Sequence, residues 1–150
     1  MIDKVMLTSL IRRHAVINIS LFGINLHSAK SNPLTRFIYR VYVVELSKRV
    51  FTENWRFRAA NPQFNGVLEC LYVGMTSKIP AERFKQHKTG YINKKGHKLS
   101  AYIVQKYGAY LRPSLYDHIN FKPMTREQAL LMEEKLALDL RRQGYAVWFN

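Results

Sequence analysis

The chain has 150 residues, with 24 Lys or Arg against 10 Asp or Glu and a formal net charge of +14 when the histidines are neutral. A chain of this length forms one domain and has no room for a second hydrophobic core. Its 47% hydrophobic content excludes a disordered basic tail. The single cysteine excludes an internal disulfide and a cysteine-rich zinc site. The charge predicts a polyanionic partner, of which nucleic acid is the commonest.

Residues 1–35 are predicted to be an N-terminal extension that precedes the domain at residues 36–150. Basic residues at 12–14 precede a partly apolar run, as in a secretory signal, but polar residues interrupt the run and no small-residue cleavage site follows. An ordered extra strand or helix and an unstructured arm are the alternatives for this extension. No run of eighteen apolar residues occurs, so no membrane-spanning helix is expected, and the single thiol favours a cytoplasmic location.

Three strands are predicted from runs rich in β-branched and aromatic residues, at residues 37–46, 67–73 and 115–121. The connection at residues 47–66 contains Asn, Pro and scattered aromatic residues and is predicted to be irregular. Residues 147–149 are a candidate edge strand. The sheet is therefore expected to be small.

Two short helices are predicted between the second and third strands. Pro80 suits a first helical turn and Gly90 a left-handed helix end, so a basic helix is expected between them. Ser100 is predicted to cap a second helix at residues 101–107, which Gly108 ends.

The last helix has the clearest sequence signal. Thr125 and Gln128 form a capping-box pattern, and residues 126–143 then continue as a helix to Gly144. The order strand, strand, helix, helix, strand, helix predicts a small α+β domain.

One glutamate of this helix is predicted to point inward. At 100° per residue the helix has one continuous apolar arc, formed by Ala129, Leu130, Met132, Leu136, Ala137 and Leu140. Glu133 lies inside the arc and Glu134 outside it. Burying an unpartnered carboxylate costs several kcal/mol. The alternatives are an ion pair with an arginine, which would fasten the helix to the sheet, and coordination of Mg²⁺ or Mn²⁺, which prefer carboxylate oxygen.

The central part of the chain is strongly basic, with eight Lys or Arg and no Asp or Glu at residues 83–116. This stretch is predicted to face phosphate groups, with a solvated basic face as the alternative. Its candidate contacts include Lys85, Lys88, Lys94 and Lys95. Arg83 and His87 are four residues apart and share a helix face, where a guanidinium and an imidazole can hold a phosphate.

Tyr42 and Tyr72 each lie on a predicted strand, where a tyrosine usually serves packing. A phenol near several cations can instead act as an acid or a base, because positive charge favours the phenolate. Both roles are compatible with the sequence.

Together these positions resemble the GIY-YIG nuclease superfamily, over roughly residues 37–150. The first tripeptide of that family corresponds to Arg40-Val41-Tyr42, with arginine in place of its glycine, and the second to Tyr72-Val73-Gly74. The segment YVGMTSKIPAERFKQHKTG is similar to the family's strand-to-helix block and includes Thr76, Arg83 and His87.

The last helix and the C-terminal residue extend the resemblance. The segment ALLME, which ends at Glu133, is similar to the family's A-x-x-x-E motif, and Asn150 stands for its late asparagine. The motif selects the same glutamate as the helical periodicity.

The resemblance implies a three-stranded antiparallel sheet flanked by helices in the order β-β-α-α-β-α, one divalent cation (Mg²⁺ or Mn²⁺) and hydrolysis of DNA phosphodiester bonds. It implies that Tyr42 is the general base for water, assisted by His87, and that Tyr72 contacts the phosphate or the water. Arg83 would bind and polarise the phosphate, and Glu133 would hold the cation. Further substrate contacts would come from Gly74, Thr76, Lys85, Lys88, Lys94, Lys95 and Asn150.

Two other functional classes are compatible with the charge. A nucleic-acid-binding module of the same fold that has lost cleavage needs the basic surface but not Glu133. A structural RNA-binding protein also leaves the inward carboxylate unexplained. If the chain is a nuclease, its specificity is expected to come from residues 55–58, from the N-terminal extension, or from a protein partner or a second copy of the chain.

Overall fold

The computed structural model describes residues 38–98 and 100–149. The predicted N-terminal extension, the first residue of the first predicted strand and Asn150 all lie outside the described residues. In the part of the chain that is described, no helix has both the length and the apolar character that a membrane span requires.

The core of the fold is a four-stranded mixed sheet with the strand order β3-β1-β2-β4. Its strands are β1 (Arg40–Leu46), β2 (Cys70–Thr76), β3 (Gly108–Leu111) and β4 (Ala146–Trp148). β1 pairs antiparallel with β2 and β3, whereas β2 pairs in parallel with β4. The predicted α+β class is confirmed. The predicted three-stranded antiparallel sheet is wrong, because the chain forms β4 as an added parallel edge after the last helix.

The connection after β1, predicted to be irregular, contains two short helices, α1 (Arg49–Glu53) and α2 (Trp55–Ala59). Phe57 of α2 is fully buried, and Asn61 follows it into the interior. The Asn61 side chain accepts a hydrogen bond from Val147 N at 2.7 Å and donates to Phe57 O at 2.8 Å. These bonds hold the connection against β4 at the far end of the chain.

The helix between Pro80 and Gly90 is confirmed as α3 (Pro80–Thr89). Proline occupies the start of the helix, where its missing N–H is not needed. Gly90 has φ +68 and ends the helix in the left-handed region.

The next helix, α4 (Tyr102–Tyr107), is confirmed and ends at Gly108 as predicted, but its predicted N-terminal cap is wrong. Ala101 occupies the cap position, and no side chain caps the helix there, so Ser100 does not play the predicted role. Gly108 has extended rather than left-handed backbone and begins β3 at once. Glycine allows this direct transition from α4 to β3, because a Cβ at this position would lie 2.5 Å from Val104 O.

The strand predicted at residues 115–121 is wrong, since this segment starts in a short 3₁₀ turn (Pro113–Leu115) and continues as turns. At the edge of β1, the side chain of Asn120 makes the hydrogen bonds that a neighbouring strand would otherwise make. Asn120 Oδ1 accepts from Val41 N at 2.9 Å, and Asn120 Nδ2 donates to Val41 O at 2.8 Å. Both backbone groups of Val41 are thus satisfied by one amide.

The last helix, α5 (Arg126–Arg142), begins with the predicted capping box. Thr125 Oγ1 accepts from Gln128 N at 3.1 Å, and Gln128 Oε1 accepts from Thr125 N at 2.9 Å. α5 packs against β1, β2 and β4. Its buried residues are Ala129, Glu133, Leu136, Ala137 and Leu140.

Candidate active site

Tyr42 and Tyr72 lie on the same face of the sheet. β1 and β2 pair so that Tyr42 is opposite Gly74 and Val44 is opposite Tyr72, and alternate residues of a strand share a face. The two ring centroids are 6.1 Å apart, and the side chains are only 1% and 2% exposed. The two tyrosines are therefore buried neighbours.

Gly74 makes room for these two phenols. A Cβ at this position would lie 2.7 Å from Tyr42 Oη and 2.7 Å from Tyr72 Cε1, closer than Cβ atoms approach their neighbours in proteins. A side chain at position 74 would therefore displace at least one ring.

His87 of α3 lies over Tyr42 and makes a buried hydrogen bond between its Nε2 and Tyr42 Oη, at 2.7 Å. Its other nitrogen, Nδ1, lies 2.7 Å from the backbone N–H of Ala101. Because an amide N–H can only donate, Nδ1 accepts and carries no proton, which places the proton of the neutral ring on Nε2. His87 therefore donates to the Tyr42 oxygen and cannot take a proton from it in this arrangement.

The electrostatics of His87 agree with this tautomer. Burial, with a smaller contribution from the charge of Arg83, lowers the pKa of His87 from 6.5 to about 4. The ring is therefore neutral at pH 7, as the bond from Ala101 requires.

The Tyr42 phenol is protonated at neutral pH in the protein alone. Burial raises its pKa well above the usual 10.0, and the neighbouring Tyr72 phenol raises it further. The Arg83 guanidinium acts in the opposite direction, because its positive charge favours the phenolate. A role as a base therefore requires additional positive charge close to the Tyr42 oxygen.

Arg83 lies one helical turn before His87 on α3, and its charge acts on both His87 and Tyr42. Its Nη1 donates to Gln86 Oε1 at 3.3 Å, which is a long contact to a neutral group. The fold thus brings Tyr42, Tyr72, Arg83 and His87 together.

Glu133 is 4% exposed on the inward face of α5, whereas the neighbouring Glu134 is exposed. The prediction from helical periodicity is therefore confirmed. α5 packs against β1 and β2, the strands that carry the two tyrosines. Glu133 and Tyr72 each interact with another group of the protein.

The donor chemistry of Glu133 fits a hard cation. Mg²⁺ binds through one or two carboxylates and keeps several waters and substrate phosphate oxygens as its other ligands. Across residues 38–98 and 100–149, no three His, Cys, Asp or Glu side chains cluster as a fully protein-made cage would require. A cation at Glu133 would accordingly use one carboxylate and several waters or phosphate oxygens.

The predicted basic contacts differ in their surroundings. Lys85, Lys94 and Lys95 are exposed. Lys88 is exposed as well, but its ammonium group donates to Gly108 O at 2.7 Å and to Gln105 O at 3.4 Å. Lys88 therefore fastens α3 to the end of α4.

Lys94 and Lys95 lie in a fixed turn, residues 91–98, which we call the basic turn. Asn93 Oδ1 accepts hydrogen bonds from the backbone of Lys95 and His97, both at 2.9 Å. Ile92 and Lys98 close the turn by a β-bridge. The ammonium groups at its tip are thus presented on an ordered backbone.

Thr76 is 6% exposed, and its hydroxyl accepts from Lys78 N at 3.0 Å. It shapes the turn between β2 and α3. Beside this turn, Arg83 lines a pocket of about 240 Å³. Apart from Thr76, the other lining residues, which the sequence did not single out individually, are Tyr39, Met75, Ser77, Lys78 and Gln86. The available signal was the charge of Lys78 within the matched segment YVGMTSKIPAERFKQHKTG.

Comparisons of the chain with protein-family models, with curated proteins and with solved structures find no match. The functional argument therefore depends on the residues and their geometry.

Proposed function

We propose that this chain is a divalent-cation-dependent endonuclease of the GIY-YIG type, which hydrolyses phosphodiester bonds of DNA. The observation that carries the proposal is the buried 2.7 Å hydrogen bond between His87 Nε2 and Tyr42 Oη. A buried tyrosine that serves packing needs an acceptor for its O–H, which an imidazole that donates to its oxygen does not provide. A tyrosine that becomes a phenolate needs a donor instead, because a hydrogen bond to the charged form stabilises it.

Tyr42 is the general base in this mechanism and takes a proton from the attacking water. His87 assists by holding the phenolate oxygen through its Nε2–H. Arg83 binds the phosphate and also lowers the pKa of Tyr42. General base catalysis of this kind contributes about 10²–10⁴-fold to the rate.

Glu133 is the proposed ligand of Mg²⁺ or Mn²⁺. Such a cation supplies positive charge that offsets the charge on the leaving oxygen and favours the Tyr42 phenolate. The burial of Glu133, on a helix packed against the two tyrosine-bearing strands, supports this role.

DNA is the proposed partner because the chain has a formal net charge of +14 and the stretch that begins with Arg83 and His87 carries only basic charges, at residues 83–116. The basic turn follows α3, which carries Arg83 and His87, and precedes Ala101, which fixes His87. Lys94 and Lys95 at its tip would contact phosphates next to the cleaved bond.

A second candidate function is DNA binding without cleavage. The observation that favours it is the raised pKa of Tyr42, since a protonated phenol cannot accept a proton from water. The two candidates differ in whether a bound cation lowers the pKa of Tyr42 enough for its phenol to act as a base.

The test is nicking of supercoiled plasmid by the full chain with Mg²⁺, with Mn²⁺ and with a chelator, beside a binding titration at several salt concentrations. The nuclease nicks only with the cation, and its affinity for DNA falls with salt by a slope of about −0.9 per phosphate neutralised. If the affinity for DNA falls steeply with salt but no condition produces nicking, the chain is a DNA-binding module and not a nuclease. A flat salt response excludes DNA as the partner.

A further inference from the structure

The pocket beside Arg83 is distinct from the cluster that surrounds the Tyr42 oxygen. It lies where β2 ends and α3 begins, and Arg83 belongs to both places. Its volume of about 240 Å³ is lined by Tyr39, Ser77, Lys78, Arg83 and Gln86, together with Met75 and Thr76. The polar groups are two cations, three hydroxyls and one amide.

The chemistry of this lining suits a phosphate group. Cations and hydroxyl or amide donors are the groups that bind phosphate oxygens. None of the lining residues, all within the described ranges, is Asp or Glu. The carboxylate of Glu82 contacts two of them, since it accepts from Lys78 Nζ at 2.5 Å and from Gln86 Nε2 at 3.4 Å, and a phosphate would have to displace it.

The contacts that now occupy the two cations are weak enough to be replaced. Lys78 pairs with Glu82 at 2.5 Å in an exposed i,i+4 arrangement, and such surface pairs contribute little. Arg83 donates to the neutral Gln86 oxygen at 3.3 Å and also interacts with the neutral Tyr42 hydroxyl. A phosphate oxygen offers each of them a stronger, charge-assisted bond.

Positive charge continues beyond this pocket. Tyr39 also lines a neighbouring groove of about 220 Å³, whose other residues include Arg40 and Lys122. A strand that enters beside Arg83 can therefore pass over Tyr39 toward two further cations.

We propose that Tyr39, Ser77, Lys78, Arg83 and Gln86 form a second phosphate subsite, which binds the phosphate next to the one that is cleaved. This rests on the proposed function for the identity of the strand, but the affinity of the pocket for phosphate is independent of cleavage. The subsite fixes the strand so that the cleaved phosphate meets Arg83 and Tyr42.

The direct test is titration of the full-length protein with inorganic phosphate, followed by NMR of the backbone amides of Ser77 and Lys78. These signals shift with saturation in the wild type, and the affinity falls about tenfold in Lys78→Gln, as expected for loss of one charge-assisted bond. Lys135→Gln, an exposed lysine on α5, is the matched control and leaves the affinity unchanged. Shifts that do not saturate, or that are equal in both variants, overturn the proposal.

The source of the phosphate is tested by competition against inorganic phosphate. An oligonucleotide without terminal phosphates displaces it if the pocket takes internal phosphodiesters, as proposed. Displacement only by an oligonucleotide with a 5′-phosphate overturns that assignment in favour of strand ends.

Cleavage kinetics separate this proposal from the nuclease proposal. Lys78→Gln should raise KM for DNA about tenfold and leave kcat unchanged, because the residue does not touch the reacting atoms. A wild type that binds phosphate in the pocket but never cuts DNA contradicts the nuclease and not the subsite. A Lys78→Gln variant that cuts with wild-type KM contradicts the subsite and not the nuclease.

Discussion

Tyr42 and Gly74 face each other across β1 and β2, and the Tyr42 hydroxyl lies only 2.7 Å from the position that a side chain at residue 74 would occupy. Because Gly74 has no side chain, the Tyr42 and Tyr72 phenols can pack over β2 next to His87. This relation makes the glycine part of the site, although it contributes no functional group.

Gly74→Ala should therefore impair cleavage more than folding. The added methyl group pushes the phenols away, and a displacement of about 1 Å can cost about a hundredfold in rate. The strain should also lower the free energy of unfolding by about 1–3 kcal/mol. Nicking rates, DNA affinity and urea unfolding measured on the same preparations check this.

Gly66→Ala is the matched control for that variant. Gly66 has φ +83, and a Cβ there would have no neighbouring atom within 4 Å, so alanine strains the backbone without touching the site. It should cost about 1 kcal/mol of stability and leave the nicking rate unchanged. Equal losses of activity in the two variants would show that Gly74 acts through stability alone.

Tyr42→Phe should lower kcat by about 10²–10⁴-fold while DNA affinity stays the same, because the base is lost and the ring is kept. Stability should fall by about 1–3 kcal/mol, since His87 Nε2–H loses its buried partner. Tyr116→Phe, at a buried tyrosine outside the cluster, should retain the wild-type rate.

The pH dependence of cleavage provides a second readout of Tyr42. Because its pKa is raised, only a small fraction of Tyr42 is phenolate at neutral pH, and that fraction grows about tenfold per pH unit. The logarithm of kcat/KM, which reports the pKa of the free protein, should therefore rise with pH with a slope near one in the wild type. A wild type and a Tyr42→Phe variant with the same pH profile would rule out Tyr42 as the base.

Local sequence signals were sufficient for α5 and its inward glutamate. The capping box at Thr125 and the 100° periodicity that places Glu133 inside both depend on residues within a few turns of one helix. Both signals can therefore be read without knowledge of the other elements of the fold.

Long-range partners explain what the sequence could not show. The helices after β1 are held by Asn61, whose partner Val147 is 86 residues away. The strand expected near Asn120 is replaced by a side-chain amide whose partner, Val41, is 79 residues away. The tautomer of His87 depends on a loop amide, and no periodicity predicts that contact.

Glu133→Gln and Glu134→Gln form a matched pair of adjacent substitutions. The first replaces a buried carboxylate with an isosteric amide, and the second changes an exposed one. If Glu133 holds the cation, Glu133→Gln should lose at least about a hundredfold in cation-dependent nicking, and Glu134→Gln should behave as wild type. If Glu133 only pairs with an arginine, the first variant should be less stable but cut normally per folded molecule.

The basic turn should contribute directly to the salt dependence of DNA binding. Replacing Lys94 and Lys95 together with Gln removes two exposed charges and should reduce the slope of log affinity against log salt by about 1.8. Lys88→Gln should lower stability and leave this slope unchanged, since its ammonium is bound to backbone carbonyls. The measurement is fluorescence anisotropy of labelled duplex DNA between low and moderate salt, and equal slopes for all three proteins would exclude the turn from the interface.

His87 should make the fold sensitive to mild acid. Its pKa is about 4 in the folded chain and 6.5 in its ordinary state, so between these values the unfolded chain binds a proton that the folded chain does not. Stability should therefore be complete above pH 6.5 and fall by on the order of 2–3 kcal/mol as pH drops to about 4. Urea unfolding of wild type and His87→Gln across this range isolates the effect, because glutamine can still donate to Tyr42 Oη but does not titrate. If both proteins lose stability equally, protonation of His87 is not the cause, and the bond from Ala101 does not hold the ring neutral.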